Sequence, residues 1–316
     1  MNKESSFAPV VVFAFNRIKT LKDCIKALLA NSEAVTTDLF VFVDGPRANK
    51  EGEAEKVEAV RDYVKSISGF KSLTYHFSKS NKKLGPSIIA GVTEVINEYG
   101  KAIVIEDDLV VTKNFLCFMN QGLALYQDNR DVFSICGYTN RVNRPPDYPY
   151  DAYFCVRSSS WGWATWKDRW ESVDWELKEW NAVEKKGKAF NHWGGSDCFK
   201  MLKDWKRGKN HSWAIRFCFA EFVQNRLSLF PMKSLVNNAG FDGQGTNCRM
   251  WSRFKFEMDE SGKKLFILPK DIIRHQGLFH DALKYHTIKI RIYSRIMYLW
   301  YDIKNAINST SFQCVT

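Results

Sequence analysis

The stretch Ala102-Ile103-Val104-Ile105-Glu106-Asp107-Asp108 decides the fold, because four apolar residues in it run directly into three carboxylates. A short apolar run of this kind is typical of a buried, parallel strand. Open α/β sheets bind their ligands beyond the carboxyl ends of the strands. Because three adjacent carboxylates repel one another, we expect a cation to offset their charge. A divalent ion would do so and leave positions for phosphate oxygens. A solvated acidic loop after a core strand is the alternative interpretation.

Three further strands and three helices are predicted upstream of this stretch. Apolar runs at 9–15, 39–43 and 73–77 predict the strands, and apolar residues at helical spacing follow each of them. The resulting β-α-β-α-β-α-β pattern implies right-handed crossovers and a parallel sheet. Polar residues follow three of the four strands, so we expect a ligand crevice along one edge of the sheet.

The composition is that of a folded, basic protein. The 316 residues carry a net charge of +11, with 45% hydrophobic and 15% aromatic residues. Such a surface attracts phosphorylated substrates, anionic membranes and nucleic acid. No nucleic-acid module or zinc-finger spacing is present, so no nucleic-acid partner is expected. The eight scattered cysteines are expected to be reduced and buried. Without a signal-peptide pattern or an apolar run of about 18 residues, the sequence predicts a cytoplasmic protein.

The ordered set Phe15-Asn16-Arg17, Val43-Asp44-Gly45 and Glu106-Asp107-Asp108-Leu109 resembles the nucleotide-sugar half of GT-A glycosyltransferases. It is similar to the N-acetylglucosaminyltransferase I type and to bacterial sugar transferases of polysaccharide and lipopolysaccharide synthesis. The resemblance implies an α/β fold of GT-A type, with a Rossmann-like, mostly parallel sheet flanked by helices and a C-terminal helical extension. The implied parts are a nucleotide-sugar-binding half at 9–140, an acceptor-side half at 141–270 and a basic helical tail at 271–316.

The same resemblance implies a role for each polar residue of this edge. Arg17 and Asp44 would contact the uracil and ribose region, while Glu106 and Asp107 would reach sugar and ribose hydroxyls. Asp108 would bind Mn²⁺ or Mg²⁺, which stabilises the charge that develops on a leaving diphosphate. The full set of predicted nucleotide-sugar residues is Asn16, Arg17, Asp44, Lys83, Gly85, Glu106 and Asp107.

Simpler structural roles remain open for these residues. Asp44 precedes Gly45-Pro46 and could serve only as a turn residue. Arg17 could pair with a surface acid. The basic pair Lys82-Lys83 lies in a polar loop after the third strand, where we expect it to help stabilise the diphosphate.

A tryptophan-rich segment follows in the acceptor-side half. Tryptophan rings stack on the apolar faces of sugars, and Trp161-Gly162 is predicted to line the acceptor site. Trp163, Trp166 and Trp170 are spaced by three and four residues, which indicates a helix face in an aromatic core.

An inverting transferase needs a carboxylate base near the acceptor hydroxyl. The candidates are Asp197, Glu221 and Asp242, and Asp197 ranks first because it ends the glycine-containing loop 192–197. For Glu221 the alternative is an acid at the edge of the core, paired with Arg216 or Arg226. A retaining enzyme would need no such base.

Asp242 belongs to a glycine-containing loop at 237–247, which can bring backbone N–H groups close to phosphates. The loop resembles the Gly-Phe-Asp-Gly-x-Gly-Thr loop of bacterial sugar transferases, in which a histidine commonly follows the threonine. Asn247 occupies that position here, which puts a second protein metal ligand in doubt. A long surface turn is the alternative. The run 229–236 before the loop contains Pro231, so we expect an edge strand.

The tail at 284–305 has the pattern of a basic amphipathic helix. Its apolar residues Ile288, Ile292, Ile296, Leu299 and Trp300 gather on one helical side. Such a helix can lie on an anionic membrane. A helix packed on the catalytic domain is the alternative.

The predicted function is metal-dependent transfer of a sugar from a nucleotide-diphosphate sugar, with a UDP-sugar favoured, to a hydroxyl of a glycan or lipid-linked glycan. The enzyme would be a hexosyltransferase of class EC 2.4 in cell-surface polysaccharide biosynthesis, cytoplasmic with peripheral contact at the inner membrane face. One alternative is a sugar-phosphate nucleotidyltransferase, although Phe15-Asn16-Arg17-Ile18 lacks the glycines of its phosphate loop. The other is a non-catalytic carbohydrate- or membrane-binding module.

Overall fold

The computed structural model describes residues 7–240, 254 and 256–311, with side chains described up to residue 300. The strands are β1 Val10–Ala14, β2 Asp38–Val43, β3 Ser72–Phe77, β4 Lys101–Glu106, β5 Leu109–Val111, β6 Val132–Cys136, β7 Ala152–Cys155, β8 Trp163–Trp166, β9 Leu227–Pro231 and β10 Val236–Asn238. The α-helices are α1 Ile18–Leu29, α2 Glu53–Lys65, α3 Leu84–Tyr99, α4 Phe115–Leu125, α5 Lys167–Glu171, α6 Trp180–Lys185, α7 Gly187–Gly194, α8 Cys198–Lys206, α9 Ala214–Val223, α10 Gln276–Leu283 and α11 Ile288–Ser311.

Eight of these strands form one sheet in the order β3-β2-β1-β4-β8-β6-β9-β7. The pairs β1–β2, β1–β4, β2–β3 and β6–β9 are parallel, whereas β8 is antiparallel to both of its neighbours and β7 is antiparallel to β9. The strands β5 and β10 form a separate antiparallel pair. The predicted class, a mainly parallel α/β sheet flanked by helices with a C-terminal helix, is confirmed.

Apart from the edge strand β3, whose residues are exposed or half-buried, the sheet is buried on both faces, as continuous apolar strands predict. Side chains alternate along β1, so Val10 and Val12 join one core cluster and Val11 and Phe13 join the other. The first cluster includes apolar residues of α1, α2 and α4, and the second includes those of α3 and α9. The helical spacing upstream of residue 100 therefore identified three of the helices that cover this sheet, α1, α2 and α3.

The tryptophan segment differs from its predicted helix. Trp163 to Trp166 forms β8, which lies between β4 and β6, and a short helix begins only at Lys167. Because strand neighbours alternate, Trp163 and Trp166 belong to opposite faces of the sheet. The expected burial is confirmed, since Trp163 stacks on Trp170 with ring centroids 5.6 Å apart. The helical assignment was wrong because the three- and four-residue spacing spans a strand and the helix after it.

The prediction of an edge strand at 229–236 is also wrong. The strand β9 ends at Pro231 and lies between β6 and β7. Proline is tolerated there because the pairing of β9 with β6 ends at Leu229, so Pro231 pairs on one side only, with Ala152 of β7. The chain then forms β10, which pairs with β5 directly after the carboxylates.

Both predicted halves contribute strands to the same sheet, because β8 is inserted between β4 and β6. The tail also packs on this body, since Leu278 and Ala282 of α10 join Tyr153 and Cys155 of β7 in one apolar cluster. The domain boundaries at 140 and 270 stay predictions.

The six cysteines in the described part of the chain are free and buried, which confirms the expectation for them. Between residues 7 and 311, with the gaps given above, no helix is both long and apolar enough to cross a bilayer.

Candidate functional site

The polar residues predicted at one edge of the sheet do lie together there. The parallel register pairs Phe13 of β1 with Glu106 of β4, and Ala14 with Val43 of β2. The residues that follow these strand ends therefore share one rim. This rim includes the point between β1 and β4 where the strand order reverses, because β2 and β3 extend the sheet on the other side of β1. Ligands of open α/β sheets bind at such a switch point.

Arg17 joins two of the three carboxylates. Its Nη2 lies 2.9 Å from Oδ1 of Asp107 and 2.8 Å from Oδ2 of Asp108. The backbone N–H of Phe15 donates a further hydrogen bond of 3.2 Å to Oδ2 of Asp107. Asp107 and Asp108 are buried, so the guanidinium offsets charge that solvent does not reach freely.

Burial and, to a lesser extent, mutual repulsion raise the pKa values of two acids in this cluster. Burial raises the pKa of Glu106 to about 8, and the negative charges of Asp108 and Asp107 act in the same direction. Burial also raises the pKa of Asp107 to about 6, although Arg17 opposes this change. One guanidinium therefore does not fully compensate three adjacent acids, and this edge favours the arrival of another cation.

Arg17 also offers a donor to a ligand. Its Nη1 is buried and has no hydrogen-bond partner within the described part of the chain. A buried guanidinium nitrogen without a partner is costly, so a ligand that accepts from it would be favoured. Phosphate oxygens accept such charge-assisted hydrogen bonds well.

The start of the glycine-containing loop lies directly against Asp108. The backbone N–H of Ala239 donates a 2.8 Å hydrogen bond to the Asp108 carbonyl, and Gly240 follows. A side chain at Gly240 would clash with the Asp108 carboxylate. Glycine at this position lets the backbone approach the acid. Asp242 and Asn247 lie outside the described residues, so the predictions made for them stay predictions.

Asp44 holds the loop that carries the basic pair. Its carboxylate accepts hydrogen bonds from the backbone N–H groups of Gly45, Lys82 and Lys83, at 2.9, 2.8 and 3.1 Å. This geometry gives Asp44 the turn-stabilising role that was the alternative in the sequence. Contact with a nucleotide stays a prediction for this residue.

Lys83 and Gly85 are held against the acceptor-side half. Lys83 has a φ of 69°, and its Nζ lies 2.9 Å from Nε2 of His211. A side chain at Gly85 would clash with the carbonyl oxygen of His211. No pattern in the sequence indicated a role for His211, which is an isolated histidine after a basic turn.

Asn16 is held on the other side of the rim. Its Nδ2 donates a 3.2 Å hydrogen bond to Glu53 at the start of α2, and Arg47 also bonds to that carboxylate. The hydrogen bond from Arg47 lowers the pKa of Glu53 to about 2. This contact joins the loops after β1 and β2 into one wall of the crevice.

The donor atoms of this edge fit a divalent ion that is shared with a substrate. In residues 7–240, 254 and 256–311, no group of three or more His, Cys, Asp or Glu side chains could hold a metal. Mg²⁺ is commonly bound by one or two carboxylates together with substrate phosphates. Asp107 and Asp108 supply such oxygens, and Arg17 is the cation that competes for them.

The predicted acceptor residue Trp161 lines a cavity of about 210 Å³. Its ring meets Tyr138 and Phe254 edge to face, with centroids 4.5 and 5.7 Å apart. Ser158, Ser159 and Ser160 add polar groups to the wall. Aromatic faces beside hydroxyl groups suit a sugar, which has both apolar faces and hydrogen-bonding edges.

Gly162 connects this cavity to the carboxylate edge. It has a φ of 63°, and a side chain there would clash with Val236 of β10. Val236 lies opposite Val111 in the pair formed by β10 and β5. It also precedes Ala239 by three residues, and the Ala239 N–H donates to the Asp108 carbonyl. Glycine at 162 is thus required by backbone conformation and by packing.

Asp197, the first choice for a base, is bound to an arginine. Nη1 and Nη2 of Arg157 donate to its two carboxylate oxygens at 2.7 and 3.2 Å. Asp197 is buried at the start of α8, and the loop predicted at 192–197 is helical as far as Gly194. Arg157 lines the cavity, whereas Asp197 stands behind it.

Glu221 is fully buried, and its carboxylate bonds to serines. The N–H and Oγ of Ser158 donate to Oε2 at 2.9 and 2.8 Å, and Oγ of Ser228 donates to Oε1 at 2.8 Å. The alternative pairing with Arg216 or Arg226 is wrong, because serines take that place. Burial raises the pKa of Glu221 to about 7 although these hydrogen bonds oppose it.

Most of the cavity residues were not singled out in the sequence, among them Tyr138, Arg157, Phe254 and His286. Arg157 has an unusual backbone conformation, with a φ of 65° that non-glycine residues rarely adopt, but this is visible only in the structure. The others lie in ordinary apolar or basic contexts, so only the fold brings them together.

Comparison with known proteins gives little further guidance. No family model matches the chain, and no curated protein matches it. Among solved structures, the crystal structure of S. aureus TarS aligns with 44% of this chain and 22% of its own length, at 13% identity and a TM-score of 0.30. The aligned part of this chain thus spans only about a fifth of that longer chain, and so distant a likeness supports no argument about activity.

Proposed function

We propose that this protein is a GT-A-type glycosyltransferase that moves a sugar from a nucleotide-diphosphate sugar to a hydroxyl of a glycan. The observation that carries the proposal is the cluster of Arg17, Asp107 and Asp108 at the switch point between β1 and β4. A phosphate-rich ligand needs cations and donors at this point, and the carboxylates need a further cation. The sequence resemblance supports the donor class, with UDP-sugars first, and a place in cell-surface polysaccharide synthesis.

The donor would bind across the rim formed by the loops after β1, β2 and β4. Nη1 of Arg17 would donate to a phosphate oxygen, because it is buried without a partner in the described chain. Lys82 and Lys83 add positive charge beside Asp44. The basic groups of this edge thus favour a diphosphate over a neutral sugar.

Asp108 would hold Mn²⁺ or Mg²⁺, with Asp107 beside it. When bound, such an ion supplies positive charge that stabilises a leaving diphosphate. Arg17 has a second role in this proposal, because it keeps the two acids compensated while the ion is away. Gly240 keeps the space beside the Asp108 carboxylate clear of side-chain atoms.

The acceptor sugar would enter the cavity beside Trp161. The ring of Trp161 offers an apolar face, and Ser159 and Ser160 offer hydrogen bonds to hydroxyls. If the reaction inverts the sugar, we favour Asp242 as base over Asp197, because Arg157 already holds the Asp197 carboxylate. Asp242 follows Gly240 by two residues in the sequence.

The test is a screen of nucleotide sugars for hydrolysis and transfer with Mn²⁺, Mg²⁺ or EDTA. We expect release of a nucleoside diphosphate with Mn²⁺ or Mg²⁺, and its loss with EDTA. Asp108→Asn should lower kcat by at least about a hundredfold. Asp128→Asn, which changes an exposed acid, is the matched control.

Other products would overturn the proposal. Pyrophosphate released from a nucleoside triphosphate and a sugar phosphate would identify a nucleotidyltransferase. Sugar binding that survives Asp108→Asn, without turnover of any nucleotide sugar, would identify a non-catalytic module.

A further inference from the structure

The helix α11 presents an apolar face to solvent. Ile288, Ile292, Ile296 and Leu299 are each between 54% and 63% exposed. Their spacing of four, four and three residues places them on one side of the helix. Exposed apolar residues that stand singly are ordinary, but a row of four on one helix indicates an interaction surface.

The opposite side of α11 is attached to the protein. Ser294 is almost fully buried, and Nη1 of Arg291 donates a 3.0 Å hydrogen bond to Oγ of Ser196. The helix follows a short 3-10 turn at Lys284–His286, in which Tyr285 is buried. The attachment fixes which side of α11 faces outward, so its apolar row is not turned toward the core.

The charge of this segment selects the partner. Residues 284–300 contain Lys284, Lys289, Arg291 and Arg295 and no aspartate or glutamate. Lys289 and Arg295 flank the apolar row on the helix surface, and both are exposed. A second copy of the chain would bring the same positive segment and a net charge of +11, which opposes self-association. Anionic lipid headgroups complement this charge.

We propose that α11 docks the protein on the surface of an anionic lipid bilayer. Ile288, Ile292, Ile296 and Leu299 would enter the headgroup region, and Lys289 and Arg295 would contact lipid phosphates. This is how a basic amphipathic helix lies in the interface plane without spanning the membrane. Salt should weaken the attachment, because part of it is electrostatic.

This docking would bring the acceptor cavity close to the lipid. Leu283 and His286 line the cavity, and α11 begins two residues after His286. This proximity points to an acceptor glycan that is carried on a lipid, an inference that rests on the proposed function. The docking itself does not depend on that function.

Cosedimentation with lipid vesicles tests the docking. The full chain is mixed with vesicles of phosphatidylcholine alone, or of phosphatidylcholine with phosphatidylglycerol. One variant removes apolar surface, Ile292→Ser with Ile296→Ser, and a second reverses charge, Lys289→Glu with Arg295→Glu. Val35→Ser with Leu125→Ser is the matched control, because both residues are exposed apolar positions elsewhere. Melting curves and nucleotide-sugar hydrolysis in solution are recorded for every protein.

We expect the unaltered chain to bind anionic vesicles at least about tenfold more tightly than neutral ones. Each α11 variant should lose about tenfold or more in that binding, with unchanged melting and hydrolysis, while the control pair binds normally. Equal binding of all variants would overturn the proposal. So would a lipid-free dimer that Ile292→Ser with Ile296→Ser dissociates, since the face would then join two copies. Vesicle binding without any hydrolysis would contradict the proposed function alone.

Discussion

Nη2 of Arg17 lies 2.8 Å from Oδ2 of Asp108, although 91 residues separate the two along the chain. The contact follows from the parallel pairing of β1 with β4, which brings both strand ends to one rim. The same nitrogen reaches Asp107, so one guanidinium bridges both acids. The cation that the adjacent carboxylates require is therefore supplied in part by the protein itself.

Arg17→Ala should lower the melting temperature of the protein and increase the rise in melting temperature that Mn²⁺ produces. Without the guanidinium, the buried Asp107 and Asp108 repel each other, at a cost of about 1–3 kcal/mol. The uncompensated acids should then bind Mn²⁺ more tightly than in the unaltered protein. Melting temperatures with and without Mn²⁺ measure both effects.

Lys19→Ala is the control for Arg17→Ala, because Lys19 is an exposed cation two residues away. It should change neither the melting temperature nor the response to Mn²⁺. An equal Mn²⁺ response in Arg17→Ala and the unaltered protein would show that these acids do not hold the ion.

Gly240→Ala should impair donor turnover through a steric effect on Asp108. The added methyl group would clash with the Asp108 carboxylate, which must move. A displaced catalytic group commonly costs on the order of a hundredfold in rate, so we expect kcat/KM for the nucleotide sugar to fall by that amount. Gly277→Ala is the matched control, because a Cβ there meets only His275 at ordinary contact distances. Equal activity of the two variants would contradict the role given to Gly240.

The carboxylate edge was predictable because it depends on local patterns. The acids follow one buried strand and Arg17 follows another. Parallel pairing of the two strands brings their carboxyl ends, and the polar residues after them, together. The direct bond between Arg17 and Asp108 was not predictable, because the sequence only suggested some acidic partner for the arginine. Choosing that partner requires the register of β1 against β4.

The acceptor cavity was predictable only in part. Trp161 stood out by its composition and its neighbouring glycine, whereas Tyr138, Phe254 and His286 reach the same cavity from distant parts of the chain. The strand β8 was missed because four residues are too few to show a period of two. Long-range packing, rather than local propensity, places these residues.

Asp197→Asn should reduce stability more than catalysis. The amide keeps one hydrogen bond to Arg157 but leaves its buried charge uncompensated, at a cost of about 3 kcal/mol. We expect kcat to stay within about tenfold of the unaltered value, since Asp197 stands behind Arg157. Asp242→Asn should instead lower kcat by about a hundredfold or more. Urea unfolding and initial rates separate the two effects, and the reverse pattern would return the role of base to Asp197.

Glu221 should make the stability of the protein depend on pH. Burial raises its pKa from 4.5 to about 7, although Ser158 and Ser228 donate hydrogen bonds to it. Between these values the folded state holds a proton that the unfolded state releases. The contribution of Glu221 to the free energy of unfolding should therefore be highest below about pH 4.5, fall as the pH rises to about 7 and then level off. Each pKa unit corresponds to about 1.4 kcal/mol, so the loss is on the order of 3 kcal/mol.

Glu221→Gln removes this titration and keeps the shape of the side chain. Urea unfolding at several pH values between about 4.5 and 8 should show the variant gaining stability over the unaltered protein as the pH rises. Glu184→Gln changes an exposed acid, and its curve should run parallel to that of the unaltered protein. If the curve of Glu221→Gln also runs parallel to that of the unaltered protein, the Glu221 carboxylate is ionised in the folded state across this range. Its hydrogen bonds from the serines would then outweigh the effect of burial.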